Sequence, residues 1–150
     1  MAKFIFEKIK IGNLNEEYSY INSISDIVFD DGEKIVVLPE KINGEVVTHF
    51  NYTQIFEEGY ERWHDWHHPA QGTEYIPPKY DKTSSNIVIP KYVEKIVIPK
   101  TITDIATSGL KIHDNFLFEI DSENPRYKVK NDALYYKNYD VKVMTLKRKN

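Results

Sequence analysis

A duplicated ten-residue segment constrains the fold of this chain more than any other feature. Residues 87–96 read Ile-Val-Ile-Pro-Lys-Tyr-Val-Glu-Lys-Ile, and residues 96–105 repeat the pattern as Ile-Val-Ile-Pro-Lys-Thr-Ile-Thr-Asp-Ile. Proline has no amide hydrogen to give to a strand ladder, so each short apolar run ends at its proline. Short strands that stop at the same place in every unit are typical of a stacked solenoid. The isoleucines expected to face the core in successive rungs are Ile89, Ile98 and Ile120.

Weaker versions of the same pattern occur on both sides of the duplication. Residues 36–48 contain an apolar run and Pro39, then Ile-Asn-Gly and Val-Thr, and residues 118–127 contain Asn-Pro-Arg-Tyr before Ala-Leu-Tyr-Tyr-Lys at 133–137. With the two Ile-Val-Ile-Pro-Lys segments, these stretches resemble the BspA-like leucine-rich repeat proteins of bacteria. The resemblance implies a β-rich, leucine-rich-repeat-type solenoid, and a surface or secreted protein that binds or adheres and does not catalyse a reaction.

Turn signals predict hairpins at both ends of the chain. Asp30-Asp31-Gly32 lies between two apolar runs, and Asn43-Gly44 lies between Lys41-Ile42 and Glu45-Val46. Glycine at a positive φ closes tight turns of this kind, so we expect an N-terminal hairpin region that follows an opening strand. Residues 133–146 form a second pair of apolar runs around Asn-Tyr-Asp. They predict a C-terminal hairpin that caps the exposed edge of the stack.

The repeat pattern is interrupted between residues 51 and 85 by a segment rich in aromatic side chains. Residues 53–68 have the composition of a helix that is weakened at Gly59 and ends at Pro69. In such a helix Tyr52, Phe56, Tyr60 and Trp63 would share one stripe and pack on the solenoid. We therefore expect a helical or irregular insertion within a single domain that spans residues 1–150.

This insertion is also where we expect the function of the protein to lie. The sequence predicts a binding module without catalytic activity, which contacts a partner protein through the solenoid face and the insertion. Aromatic side chains are over-represented at the centres of protein interfaces. The residues that we predict to form the binding site are Tyr60, Trp63, Trp66, His67, Tyr75 and Tyr80.

An alternative function rests on the same short stretch, residues 63–68. On a helix, His64 and His68 would share one face and could bind a divalent transition metal with help from a nearby carboxylate. The Glu that follows the first histidine in zinc proteases is absent, so a metalloprotease is not supported. The indoles of Trp63 and Trp66 could instead stack on a carbohydrate. We predict no cofactor and assign no metal ligand.

Composition excludes several other classes of protein. The chain has 150 residues, a net charge of −3 and no cysteine, which excludes disulfides, thiolate metal sites and a cysteine nucleophile. No glycine-rich phosphate loop and no Gly-x-Ser-x-Gly motif is present, and no apolar run is long enough to cross a membrane. The basic residues near the C-terminus form no continuous stripe, so we expect no nucleic-acid partner.

Charge is distributed unevenly along the chain. Residues 1–75 carry 6 basic and 14 acidic side chains, whereas residues 76–150 carry 14 basic and 9 acidic ones. Such a dipolar chain can pair its own ends or self-associate head to tail. Residues 1–11 have charges every few positions and lack the apolar region of a secretory signal. If Met1 is the natural start, the sequence therefore favours a cytoplasmic protein; only the family resemblance suggests the cell surface.

Overall fold

The chain folds into β-strands connected by turns and loops. The computed structural model describes the backbone of residues 1–65 and 71–146 and the side chains of residues 1–63 and 72–146. The strands in chain order are β1 (Lys3–Asn13), β2 (Ser19–Val28), β3 (Ile35–Val37), β4 (Lys41–Ile42), β5 (Glu45–Val46), β6 (His49–Phe50), β7 (Tyr52–Glu57), β8 (Tyr60–Asp65), β9 (Gln71–Ile76), β10 (Lys79–Ser84), β11 (Lys95–Ile98), β12 (Asp104–Ile105), β13 (Leu117–Ile120), β14 (Tyr127–Lys130), β15 (Ala133–Tyr136) and β16 (Val141–Thr145).

The largest sheet has six strands in the order β12-β6-β2-β1-β10-β7 and curls back on itself. β1 and β2 pair antiparallel over nearly their whole length, and β10 joins the end of β1. The curl is fixed by the Gln54 side chain of β7. Its carbonyl oxygen accepts a hydrogen bond from the Lys10 amide at 2.7 Å, and its amide donates to the Lys10 carbonyl at 2.9 Å. A side-chain amide therefore completes the contact between β7 and β1.

A smaller, parallel sheet contains β3, β11 and β13, with β11 in the centre. Val36, Ile96 and Phe118 are neighbours across this sheet, and all three side chains are buried. Side chains alternate between the two faces of a strand. The residues on either side of these three, among them Ile35 and Val37, therefore face outward, where both are exposed.

One apolar cluster connects these two sheets to the antiparallel sheet β14-β15-β16. Phe50 of β6, Ile96 of β11 and Leu134 of β15 are members of this cluster and are fully buried. β15 and β16 form the hairpin that the sequence predicts at residues 133–146, and β14 pairs with β15 on the other side.

The prediction of a leucine-rich-repeat-type solenoid is wrong. Ile98 and Ile120 pair in the parallel sheet, but Ile89 lies outside it, because its segment forms only a single bridge between Val88 and Lys111. β3, from the weaker copy of the repeat, pairs with β11 instead. Five of the six strands in the largest sheet come from residues that precede β3 or lie between β3 and β11. Most pairings in that sheet are antiparallel. The chain therefore does not wind into regular rungs.

The predicted helical insertion is also wrong, because its first part forms the strands β7 and β8. β10 and β9 supply the backbone partners that these residues need to form strands. The helical stripe is consequently split: Tyr52, Phe56 and Tyr60 occupy even positions, and Trp63 occupies an odd one. In strands, even and odd positions point to opposite faces.

The two N-terminal turn signals had different outcomes. The Asn43-Gly44 hairpin is confirmed, since β4 and β5 pair antiparallel and both turn residues have a positive φ, of 51° and 79°. Gly32 also closes a turn, with a φ of 73°, but the strands on its two sides enter different sheets. The predicted hairpin around Gly32 is therefore wrong. No helix occurs among the residues described, and so none that could span a membrane.

A buried asparagine between β6 and β7 joins the segments that follow β10 and β12. Asn51 is fully buried, with a φ of 69°. Its side-chain amide donates to the Ala106 carbonyl at 2.8 Å, and its side-chain oxygen accepts from the Ile87 amide at 2.9 Å. Asparagine tolerates this left-handed conformation better than most residues do. Both the oxygen and the nitrogen of the side-chain amide form hydrogen bonds, as a buried amide requires.

We predict that Asn51→Ala lowers the free energy of unfolding by about 3–5 kcal/mol, because it leaves the Ile87 amide and the Ala106 carbonyl buried without partners. The matched control is Asn43→Ala, which replaces an exposed asparagine of similar φ and should cost about 1 kcal/mol. Urea denaturation of the two variants measures the difference. Equal costs would mean that backbone conformation, and not the buried amide, is what matters at residue 51.

Candidate functional site

Strands β7 to β10 form one long antiparallel ribbon that begins at Tyr52 and ends at Ser84. The inner pair, β7 and β10, belongs to the six-stranded sheet, whereas the outer pair, β8 and β9, forms a separate two-stranded sheet. The pairing of β8 with β9 continues the pairing of β7 with β10 in the same register. The ladder is interrupted only where residues 58–59 face residues 77–78. Pro77 and Pro78 cannot donate to a ladder, which explains the interruption.

Glycine is required at this interruption because another side chain lies against the backbone. A Cβ atom at Gly59 would come within 2.5 Å of the Tyr75 hydroxyl and 2.9 Å of Pro78 Cδ. Tyr75 therefore packs across the ribbon onto Gly59, and this contact holds the tyrosine on the surface of the outer pair even though 59% of it is exposed.

The two faces of the outer pair differ in chemistry. Trp63 pairs with Thr73, and Glu61 pairs with Tyr75, so all four side chains share one face. We call this the aromatic face; Trp63 is 65% exposed on it. The opposite face carries Tyr60 together with an ion pair between Arg62 and Glu74, whose atoms are 2.8 Å apart.

The structure separates the residues that the sequence predicted as one binding site. Trp63 and Tyr75 lie together on the aromatic face, and Tyr60 is exposed on the opposite face. Tyr80 is half-buried in the inner pair, where its ring lies 4.8 Å from that of Phe56 and 4.5 Å from the Lys10 ammonium. Trp66 and His67 lie outside the described residues.

The metal alternative loses its geometric basis. His64 belongs to strand β8, so it cannot share a helix face with His68. The side chain of His64 and the whole of His68 lie outside the part of the chain whose side chains are described. No group of three or more metal-binding side chains occurs among the residues that are described.

A polar cluster at the base of the ribbon escaped the sequence analysis. The carboxylate of Asp104 in β12 accepts hydrogen bonds from the Tyr52 hydroxyl at 2.7 Å and from the Lys82 ammonium at 2.9 Å. His49 Nε2 lies 3.5 Å from the same carboxylate, and its Nδ1 lies 2.7 Å from the Thr48 hydroxyl. These residues are scattered through the sequence in different strands, and no motif signals that they meet.

Protonation states in this polar cluster are fixed near neutral pH. Burial, followed by the charge of Lys82, lowers the pKa of His49 to about 4, although Asp104 opposes the shift. Burial and the hydrogen bond to Asp104 raise the pKa of Tyr52. Burial opposes ionisation of Asp104, but hydrogen bonds from Tyr52 and Lys82 lower its pKa below the usual value. At pH 7 these shifts favour a neutral His49, a protonated Tyr52 and an ionised Asp104. The cluster ties β7 and β10 to β6 and β12.

No family model, curated protein or solved structure matches the chain. The resemblance to the BspA-like leucine-rich repeat proteins therefore stays a prediction.

We predict that acid weakens the fold through His49. Its pKa is about 4 in the folded chain against 6.5 for the free side chain, so the unfolded state binds more protons between these values. Stability then falls as the pH falls from 6.5 to 4, by about 1–3 kcal/mol. Urea denaturation between pH 7 and 4.5 should show this loss in the wild type and a smaller loss in His49→Gln. Parallel pH profiles for the two proteins would contradict this assignment.

Proposed function

We propose that the protein is a non-catalytic binding module that contacts a partner protein through the aromatic face of the outer pair, β8 and β9. The observation that carries the proposal is the exposure of Trp63 and Tyr75 at diagonal positions on the same face of a sheet of only two strands. Trp and Tyr are the residues most often found at interface hot spots. Leaving both in water gives up the free energy that their burial would contribute.

The chemistry around these two rings favours a protein partner. Glu61 and Thr73 flank the aromatic side chains and supply a polar rim, which is how protein interfaces are built. Each aromatic side chain buries about 150–250 Å² when it is covered, so the pair supplies the centre of an interface of about 800 Å² per partner. Neighbouring ribbon residues must supply the remaining area.

The ribbon is also held in place before a partner arrives. Gln54 ties it to β1, and the hydrogen bonds of Tyr52 and Lys82 tie it to Asp104. A surface that is already ordered loses less conformational entropy on binding.

We predict that Trp63→Thr and Tyr75→Thr together weaken partner binding at least about 30-fold, which corresponds to about 2 kcal/mol. Threonine keeps the strand propensity of both positions. Tyr60→Thr is the matched control: it lies on the opposite face of the same ribbon and should change affinity less than about threefold.

Two variants are made for the measurement. One carries a photoreactive amino acid in place of Thr73, on the aromatic face, and the other carries it in place of Arg62, on the opposite face. Proteins that cross-link from position 73 but not from position 62 are purified, and their affinity for each variant is measured by calorimetry. If every captured protein binds the Trp63/Tyr75 variant as tightly as the wild type, the aromatic face is not the binding site.

A further inference from the structure

The outward face of the parallel sheet is more apolar than a solvated sheet surface needs to be. Ile35 and Val37 are 53% and 62% exposed on this face, and Val97 and Leu117 are half-buried beside them. Parallel sheets in proteins are almost always covered on both faces. At the β3 end of this face, Ile35 and Val37 are left uncovered by the part of the chain that the structure describes.

A groove continues this open face at the carboxyl ends of the three parallel strands. Its volume is about 580 Å³, which falls within the range of ligand-binding clefts. The floor is apolar, with Val37, Val97, Pro99 and Ile120 among its residues. Such a floor provides space for the apolar side chain of a partner.

The rim of this groove is acidic. Glu40, Glu119 and Asp121 are among its lining residues, and no basic side chain is. Lys95, Lys128 and Lys137 line a neighbouring cavity on the other side of Glu119 and Asp121. Lys95 Nζ pairs with Glu119 at 3.2 Å, and Asp121 accepts a hydrogen bond from the Glu123 backbone amide at 2.8 Å. Among the described residues, neither Glu40 nor Asp121 forms an ion pair. We call this feature, with its apolar floor and three carboxylates, the acidic groove.

We propose that the acidic groove binds a basic peptide segment of a partner protein, one that alternates lysine or arginine with apolar residues. In an extended segment, alternate side chains point in opposite directions. Apolar side chains can then enter the floor while the cationic ones reach toward the rim. The acidic groove shares no residue with the ribbon, so this site is independent of the aromatic face.

The test uses three fluorescein-labelled hexapeptides and fluorescence anisotropy with the full chain. The first, Lys-Val-Lys-Val-Lys-Val, carries both features that the acidic groove should recognise. The second, Lys-Ser-Lys-Ser-Lys-Ser, keeps the charge without the apolar side chains, and the third, Glu-Val-Glu-Val-Glu-Val, reverses the charge. We expect only the first to bind measurably at low salt, with an affinity that falls as salt is added.

Neutralising the rim should weaken binding of the first peptide about tenfold. The variant Glu40→Gln, Glu119→Gln and Asp121→Asn removes three charges while it keeps the shape of each side chain; three partly exposed ion pairs account for an effect of this size. The matched control is Glu16→Gln, Glu17→Gln and Glu58→Gln, at exposed positions away from the acidic groove. It changes the net charge of the chain equally and should leave the affinity within twofold of the wild type.

Removing apolar surface from the floor should also weaken binding. Val37→Thr keeps a β-branched side chain in β3 but makes the floor more polar, and we expect about a threefold loss of affinity. Val28→Thr, at a similarly exposed valine of β2, is the control and should have no effect. Thermal unfolding of each variant checks that the fold is retained.

Three outcomes would overturn the proposal. The first is equal binding of the lysine-serine and lysine-valine peptides, which would mean that only charge is recognised. The second is an equal loss of affinity in the rim variant and its charge-matched control. The third is a concentration-dependent dimer in sedimentation velocity that Val37→Thr abolishes, because the open face would then be covered by a second copy of this chain.

Discussion

The buried side chain of Asn51 is the interaction on which the placement of the ribbon depends. Its backbone amide donates to the Ile24 carbonyl in β2. Its side chain bonds to Ile87 and Ala106, which follow the ribbon in the sequence. β7 begins at the next residue, Tyr52. The direction in which the ribbon leaves the six-stranded sheet is therefore set by one residue with a left-handed backbone and a fully satisfied amide.

Further hydrogen bonds reinforce this direction along the inner part of the ribbon. Glu7 of β1 accepts hydrogen bonds from the Thr53 hydroxyl and from the backbone amide of Gln54. Asp104 accepts a hydrogen bond from the Tyr52 hydroxyl. In the outer pair, an ion pair between Arg62 and Glu74 connects β8 to β9. The exposed aromatic surface of the outer pair is therefore carried on an inner pair that several hydrogen bonds hold to the rest of the sheet, which limits the conformational entropy lost on binding.

The sequence predicted structure that depends on neighbouring residues. It did not predict structure that depends on a partner far along the chain. The Asn43-Gly44 hairpin followed from two residues whose backbone preference decides the turn. The spacing of aromatic side chains in residues 53–68 is helical, yet β7 and β8 form within this stretch because β10 and β9 supply a ladder from farther along the chain. The helical stripe predicted that Trp63 packs on the solenoid, whereas 65% of it is exposed, because β8 belongs to a separate two-stranded sheet. The meeting of His49 and Asp104 could not, because no pattern joins a histidine and a carboxylate in separate two-residue strands.

The parallel sheet depends most strongly on contacts between residues far apart in sequence. Ile35 pairs with Lys95, and the whole ribbon lies between them in the chain. Closing so long a loop costs conformational entropy that only the completed core offsets. The acidic groove draws its lining from β3, β11 and β13 together, so it exists only when this sheet has formed. A ligand that binds there binds the folded chain alone, and by mass action it must stabilise the six-stranded sheet and the ribbon as well as the groove.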